Sequence, residues 1–118
     1  MESKTIPEIT VRELAAKIFS LERFVLLDVR EPWELTRASI LDNRLKAAPL
    51  SRLSQEGITA LPQAAQSKDA IVFVICHHGN RSLEVTRWLM DQGWKTVFNV
   101  RGGIDAYAHE IDQKIGFY

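Results

Sequence analysis

Only one cysteine, Cys76, occurs among the 118 residues, and there are just four prolines and six glycines. A lone thiol excludes an internal disulfide framework, a multi-cysteine zinc site and CxxC redox chemistry, and it suits a reducing compartment. An excess of one charge is also lacking. Fifteen Lys and Arg balance fifteen Asp and Glu, so the chain offers no broad basic field to nucleic acid or an anionic membrane. No apolar run approaches the ~20 residues of a membrane-spanning helix. The polar start Met1-Glu2-Ser3-Lys4 is followed by no apolar stretch of signal-peptide type. A cytoplasmic protein that binds neither nucleic acid nor membrane is expected.

What is present is globular: 46% hydrophobic and 25% charged residues, with no repeat or long linker, so residues 1–118 are expected to form one domain. Short β-rich runs alternate with helical stretches, the pattern of an α/β sheet that is mostly parallel. Thr10 and Glu13 have the spacing of a capping box, followed by Val11, Leu14, Ala15 and Ile18 on one apolar helical face. Residues 24–29 read as a strand buried on both faces, and Pro32 opens a short helix through Glu34 and Leu35. A short strand is expected near 46–48, with short helices at 50–53 and 59–65 separated by Gly57. Residues 70–75 form the strongest strand and the expected sheet centre. A helix at 82–92 closes at Gly93, a last strand spans 96–100, and a final helix runs from about 105 to 112.

The informative stretch is Cys76-His77-His78-Gly79-Asn80-Arg81-Ser82, between the best strand and a helix. In an open α/β sheet ligands bind at the carboxyl ends of the strands. A loop feeding a helix there gathers unpaired N–H groups and the positive end of the helix dipole around one point. That favours the thiolate form of Cys76, the nucleophilic form. Arg81 adds a permanent charge and planar donors for an anion. Gly79 permits backbone geometry that a side chain would hinder, and Ser82 is expected as helix N-cap and further donor. The expected device is an anion cradle with a nucleophilic sulfur at its mouth, able to take up one sulfur atom as a persulfide.

Three segments, in order, carry a family resemblance: Leu26-Leu27-Asp28-Val29-Arg30-Glu31, the 76–82 loop, and Asn99-Val100-Arg101-Gly102-Gly103-Ile104-Asp105-Ala106. Over nearly its whole length the chain resembles a single-domain rhodanese, a sulfurtransferase module. The resemblance implies a three-layer fold with helices on both faces of the central sheet. It implies Cys76 as the persulfide-forming nucleophile and Arg81 as binder of an anionic donor such as thiosulfate. His77, His78, Gly79, Asn80 and Ser82 would then form the substrate cradle. It also implies a thiol, carrier protein or cyanide as sulfur acceptor, no cofactor, and a monomer or weak homodimer. One departure is that the family's Gly-His-Ile-Pro-Gly-Ala segment is replaced by Arg37-Ala38-Ser39-Ile40 and a longer 41–47 stretch, so a different substrate entrance is expected.

Cysteine phosphatases of related fold place five residues between Cys and Arg, whereas four separate Cys76 from Arg81. The shorter ring suits one sulfur atom better than a phosphoryl group, which demotes a phosphatase or arsenate reductase. A non-catalytic binding module has no need of the cysteine. Adjacent histidines alone make a poor chelate, so no metal is expected. Asp28 and Arg30 are expected to brace neighbouring loops, and Gly102-Gly103 to make a tight turn. Trp88 and Trp94 fit packing roles and Trp33 a pocket lining, while Arg37, Arg44 and Arg52 are expected to be solvated.

Overall fold

The computed structural model describes residues 5–118; the polar start at residues 1–4 lies outside the described residues. Along the chain run β1 (Glu8–Ile9), α1 (Val11–Ile18), β2 (Val25–Asp28), α2 (Pro32–Leu35), β3 (Leu45–Ala47) and α3 (Leu50–Glu56). After two 3-10 turns, Gly57–Ala60 and Gln63–Ala65, come β4 (Ile71–Ile75), α4 (Asn80–Asp91), β5 (Thr96–Val100) and α5 (Gly103–Glu110). A last 3-10 turn covers Gln113–Ile115. The strands form one sheet in the order β1-β5-β4-β2-β3, and every pairing is parallel. No helix among the described residues is long and apolar enough to cross a membrane.

Parallel strands bury both faces, so their sequences are continuously apolar rather than alternating. The side chains of β2 and β4 divide accordingly. Val25, Leu27, Val72 and Val74 join Leu53 of α3 and Val85 and Leu89 of α4 on one face. Leu26, Phe73 and Ile75 join Val11 and Leu14 of α1 and Ile104 and Tyr107 of α5 on the other. Helices therefore cover both faces, with β4 at the centre.

The Thr10–Glu13 capping box forms as expected, with reciprocal bonds of 3.1 and 2.9 Å. Other expectations are corrected. The 59–65 stretch makes 3-10 turns rather than a helix, and β1 has only two residues, too few to leave a periodic signal. Two helices begin two residues early, α4 at Asn80 instead of 82 and α5 at Gly103 instead of 105. In both cases a left-handed glycine, Gly79 or Gly102, serves as N-cap and turns the chain straight into the helix. Ser82 is thus not a cap, and its hydroxyl is free for other work. Nor is Arg44 solvated. It pairs with Asp42 at 2.8 Å, donates to the carbonyls of Ile18 (2.6 Å) and Glu22 (2.9 Å), and lies over the Phe24 ring. It therefore satisfies carbonyls that the end of α1 leaves open.

Leu26 of β2 has no exposed surface. Leu26→Ala is expected to destabilise the fold by about 3 kcal/mol through lost contacts and the cavity left behind. Urea unfolding checks this, as a lower midpoint with an unchanged slope.

Candidate active site

Cys76 leaves β4 at its carboxyl end and is 1% exposed. Its sulfur receives the amides of Gly79 at 3.1 Å and Ser82 at 3.3 Å, and the Ser82 hydroxyl lies 3.2 Å away. Gly79 reaches this position with φ +103°, a left-handed value that glycine adopts without strain.

Two carbonyls of the same loop, those of Cys76 and His77, turn to α5. The first amides of α5 hold them, Ile104 N–H donating to the Cys76 oxygen at 2.9 Å and Asp105 N–H to the His77 oxygen at 3.0 Å. Gly103 makes this approach possible, since a Cβ there would collide with the Cys76 carbonyl and stand 2.6 Å from that of His77. The glycine pair is therefore more than the expected turn: it seats α5 against the loop. The amides that meet the sulfur belong to other peptide groups: Gly79 is the N-cap of α4 and Ser82 lies in its first turn, where N–H groups have no intrahelical partner.

Behind the sulfur, Ser82 and Asn99 are buried. The Ser82 hydroxyl donates to Asn99 Oδ1 at 2.5 Å, and Asn99 Nδ2 donates to Glu8 Oε2 at 2.8 Å and to the Gly79 carbonyl at 3.3 Å. A serine hydroxyl has one proton. While Asn99 takes it, the serine oxygen can accept from a Cys76 thiol; turned to the sulfur, it stabilises a sulfur anion instead.

Arg81 and Glu34 form a bidentate pair, Nη1 to Oε2 at 2.7 Å and Nη2 to Oε1 at 2.8 Å. Glu34 is 3% exposed and also accepts from the Glu31 amide at 2.9 Å and the Tyr118 hydroxyl at 3.1 Å. The Arg81 hydrogen bonds, helped by the Glu31 amide and opposed by burial, hold the Glu34 carboxyl down to about 2. Glu34 in turn raises Arg81 above its ordinary value. Arg30, fully buried, pairs with Asp28 at 2.7 Å, as expected of a brace, and also donates to the Tyr118 oxygen at 3.0 Å.

The Tyr118 ring stacks on His77 with centroids 3.8 Å apart, and His77 stacks on His78. Burial, then the charge of His78, lowers the pKa of His77. His77, His78 and Asp105 bring possible ligand atoms within 4.8 Å of one another.

Of the residues expected in the site, Cys76, Gly79 and Ser82 converge at the sulfur. His77 is half-buried beside them, His78 and Asn80 are exposed, and Arg81 turns to Glu34. Glu34, Asn99, Glu8 and Tyr118 were not expected there. Asn99 left a trace as a polar residue inside an apolar strand; Glu34 and Tyr118 left none.

A sulfur that accepts two backbone amides at the end of a central parallel strand defines a thiol-centred class of site, and the relatives give that class a family. Residues 10–110 match the family model described as Rhodanese-like domain, and the chain belongs to this family. It is 35% identical, over 99% of its length, to the rhodanese-like/PpiC domain-containing protein 12, chloroplastic, of Arabidopsis thaliana, and spans 39% of that protein. It is 34% identical to the putative sulfurtransferase YtwF of Bacillus subtilis, over 92% of this chain and 97% of that one. Among solved structures, a rhodanese-related protein from Thermoplasma volcanium superposes with a TM-score of 0.72 at 31% identity, covering 89% of this chain and 93% of the other.

Gly103→Ala is expected to destabilise the protein by about 2 kcal/mol or more, because φ is +61° and the carbonyls must move. Gly57→Ala has open space around it but sits at φ +66°, ψ −149°, a region essentially reserved for glycine, so it reads backbone strain without a clash and is expected to cost about 2 kcal/mol. Thermal unfolding of the two variants compares them. For Glu34, with an ordinary value of 4.5 lowered to about 2, the stabilisation is complete above pH 4.5 and is lost as pH falls to 2. The stability difference between the unmodified protein and Glu34→Gln is expected to shrink across that window in urea titrations.

Proposed function

We propose that the protein is a sulfurtransferase that carries one sulfane sulfur on Cys76. The observation that carries this reading is the convergence of the Gly79 and Ser82 amides and the Ser82 hydroxyl on the Cys76 sulfur. Fixed dipoles aimed at one sulfur stabilise a thiolate before reaction and a persulfide after it.

In the first half-reaction the Cys76 thiolate attacks the outer sulfur of a donor such as thiosulfate. A new S–S bond forms, the donor's S–S bond breaks, and its electron pair leaves on sulfite. In the second, an acceptor thiolate, carrier-protein thiol or cyanide attacks the terminal sulfur, and the Cys76 thiolate departs with the bonding pair. No outside oxidant, metal or cofactor enters either step. The one thiol stays free in a reducing compartment, so the reading sets the activity in the cytoplasm, within a single domain.

Incubation with thiosulfate is expected to add one sulfur (about 32 Da) to the intact mass, and cyanide to remove it, with ping-pong kinetics. Cys76→Ser is expected to lose both the adduct and turnover. Arg81→Ala is expected to raise the donor KM more than it lowers kcat, because it leaves the Glu34 anion beside the site. Undiminished turnover in Cys76→Ser overturns the reading, as does hydrolysis of an aryl phosphate by protein that takes up no sulfur.

A further inference from the structure

The full charges beside the sulfur cancel in pairs. Both terminal nitrogens of Arg81 are occupied by Glu34. Arg30 is likewise matched to Asp28 through Nε at 2.9 Å and Nη2 at 2.7 Å. The Tyr118 hydroxyl bridges the pairs, accepting from Arg30 and donating to Glu34. Asp105 adds a carboxylate on the His77 side of the loop. Among the described residues, Arg81 and Arg30 are thus each matched by a carboxylate, and neither is left over for the second charge of a doubly charged donor.

The rim is aromatic. Tyr118 lies flat on His77, and Trp33, 60% exposed, meets Tyr118 edge-on with centroids 6.2 Å apart. Such a surface suits an organic group better than a sulfonate oxygen.

We propose that Glu34 is a specificity-determining residue: by neutralising Arg81 it directs the site to singly charged organic sulfane donors, organic persulfides and thiosulfonates, and away from dianionic thiosulfate. This deepens the sulfurtransferase reading and rests on it. With a thiosulfonate donor, the thiolate takes the outer sulfur and the donor's S–S electron pair leaves on a sulfinate. One negative charge enters and one leaves.

Methanethiosulfonate and thiosulfate form a matched pair of probes, since a methyl group replaces one charged oxygen. Glu34→Gln is expected to lower the KM for thiosulfate roughly tenfold relative to that for methanethiosulfonate, because one opposing charge at close range is removed. Equal shifts for the two donors overturn the proposal. A cysteine peptide without net charge, loaded as its persulfide, is expected to follow methanethiosulfonate; if it instead follows thiosulfate, the proposal fails.

Because Cys76 is the only cysteine, alkylation reads the same field without any sulfur donor. The ratio of iodoacetate to iodoacetamide rates is expected to rise roughly tenfold in Glu34→Gln and to fall back with added salt. The double variant Glu34→Gln with Arg81→Gln replaces a neutral pair by a neutral pair and leaves no lone buried charge. It is expected to keep the ratio of the unmodified protein within about twofold; a tenfold drop would mean that Arg81 acts as a free cation, and overturns the proposal. A raised ratio in protein that takes up sulfur from no donor overturns the transferase reading and leaves the charge effect standing. A flat ratio in protein that does take up sulfur overturns the charge effect alone.

Discussion

The site depends on one constraint, the seating of the 76–82 loop between the first amides of α5 and the N-terminus of α4. Committing the carbonyls of Cys76 and His77 to Ile104 and Asp105 anchors the start of the loop, while the amides that meet the sulfur, those of Gly79 and Ser82, come from the N-cap and first turn of α4, where a helix leaves its N–H groups without intrahelical partners. Gly103 is the residue that allows the approach, since any Cβ would occupy the space of those carbonyls. The reactive loop and the glycine pair, more than twenty positions apart in the chain, are thus one structural unit. The parallel sheet makes it possible: β4 and β5 are adjacent and run the same way, so the loop after one and the helix after the other meet at the same edge.

Much of this was legible in the sequence, and what was not has identifiable reasons. Residues 24–29 and 70–75 read as buried strands because an unbroken apolar run fits a strand covered on both faces, and the Thr10–Glu13 cap is a local pattern. The helix starts at Asn80 and Gly103 were misplaced because left-handed glycines look like loop in a sequence while acting as caps in the fold. Arg44 looked solvated because its partners are carbonyls, which leave no mark on side-chain pattern. Glu34 and Arg81 stand 47 positions apart, and no periodicity joins them. Their pairing is a property of the folded chain: α2, set after β2 by Pro32, stands over the start of α4.

The segment from Asp28 to Glu34 does two jobs with one stretch of chain. It supplies both carboxylates that neutralise the site's arginines, Asp28 for Arg30 and Glu34 for Arg81. The buried Arg30 guanidinium and the buried Glu34 carboxylate need such partners, because an unpaired charge away from water is strongly unfavourable. The pairing also removes those cations as free binders of an incoming anion. What remains to stabilise negative charge on the sulfur is the set of backbone amides and one hydroxyl.

That division of labour matters in the proposed cycle, in which the charge passes from the Cys76 sulfur to the outer sulfur and back. A full cation beside the sulfur would hold the donor's released anion as firmly as the thiolate, and departure would then slow the cycle. Amides at the start of α4 are fixed in direction by the helix and too short in reach to follow a departing group. They favour negative charge at the sulfur position and little beyond it. The Ser82 hydroxyl is the adjustable part. Bonded to Asn99 it suits a protonated thiol, and rotated to the sulfur it adds a donor when the anion forms. The Asn99–Glu8 contact holds that acceptor in place, so in the proposed cycle the hydroxyl turns while its acceptor stays.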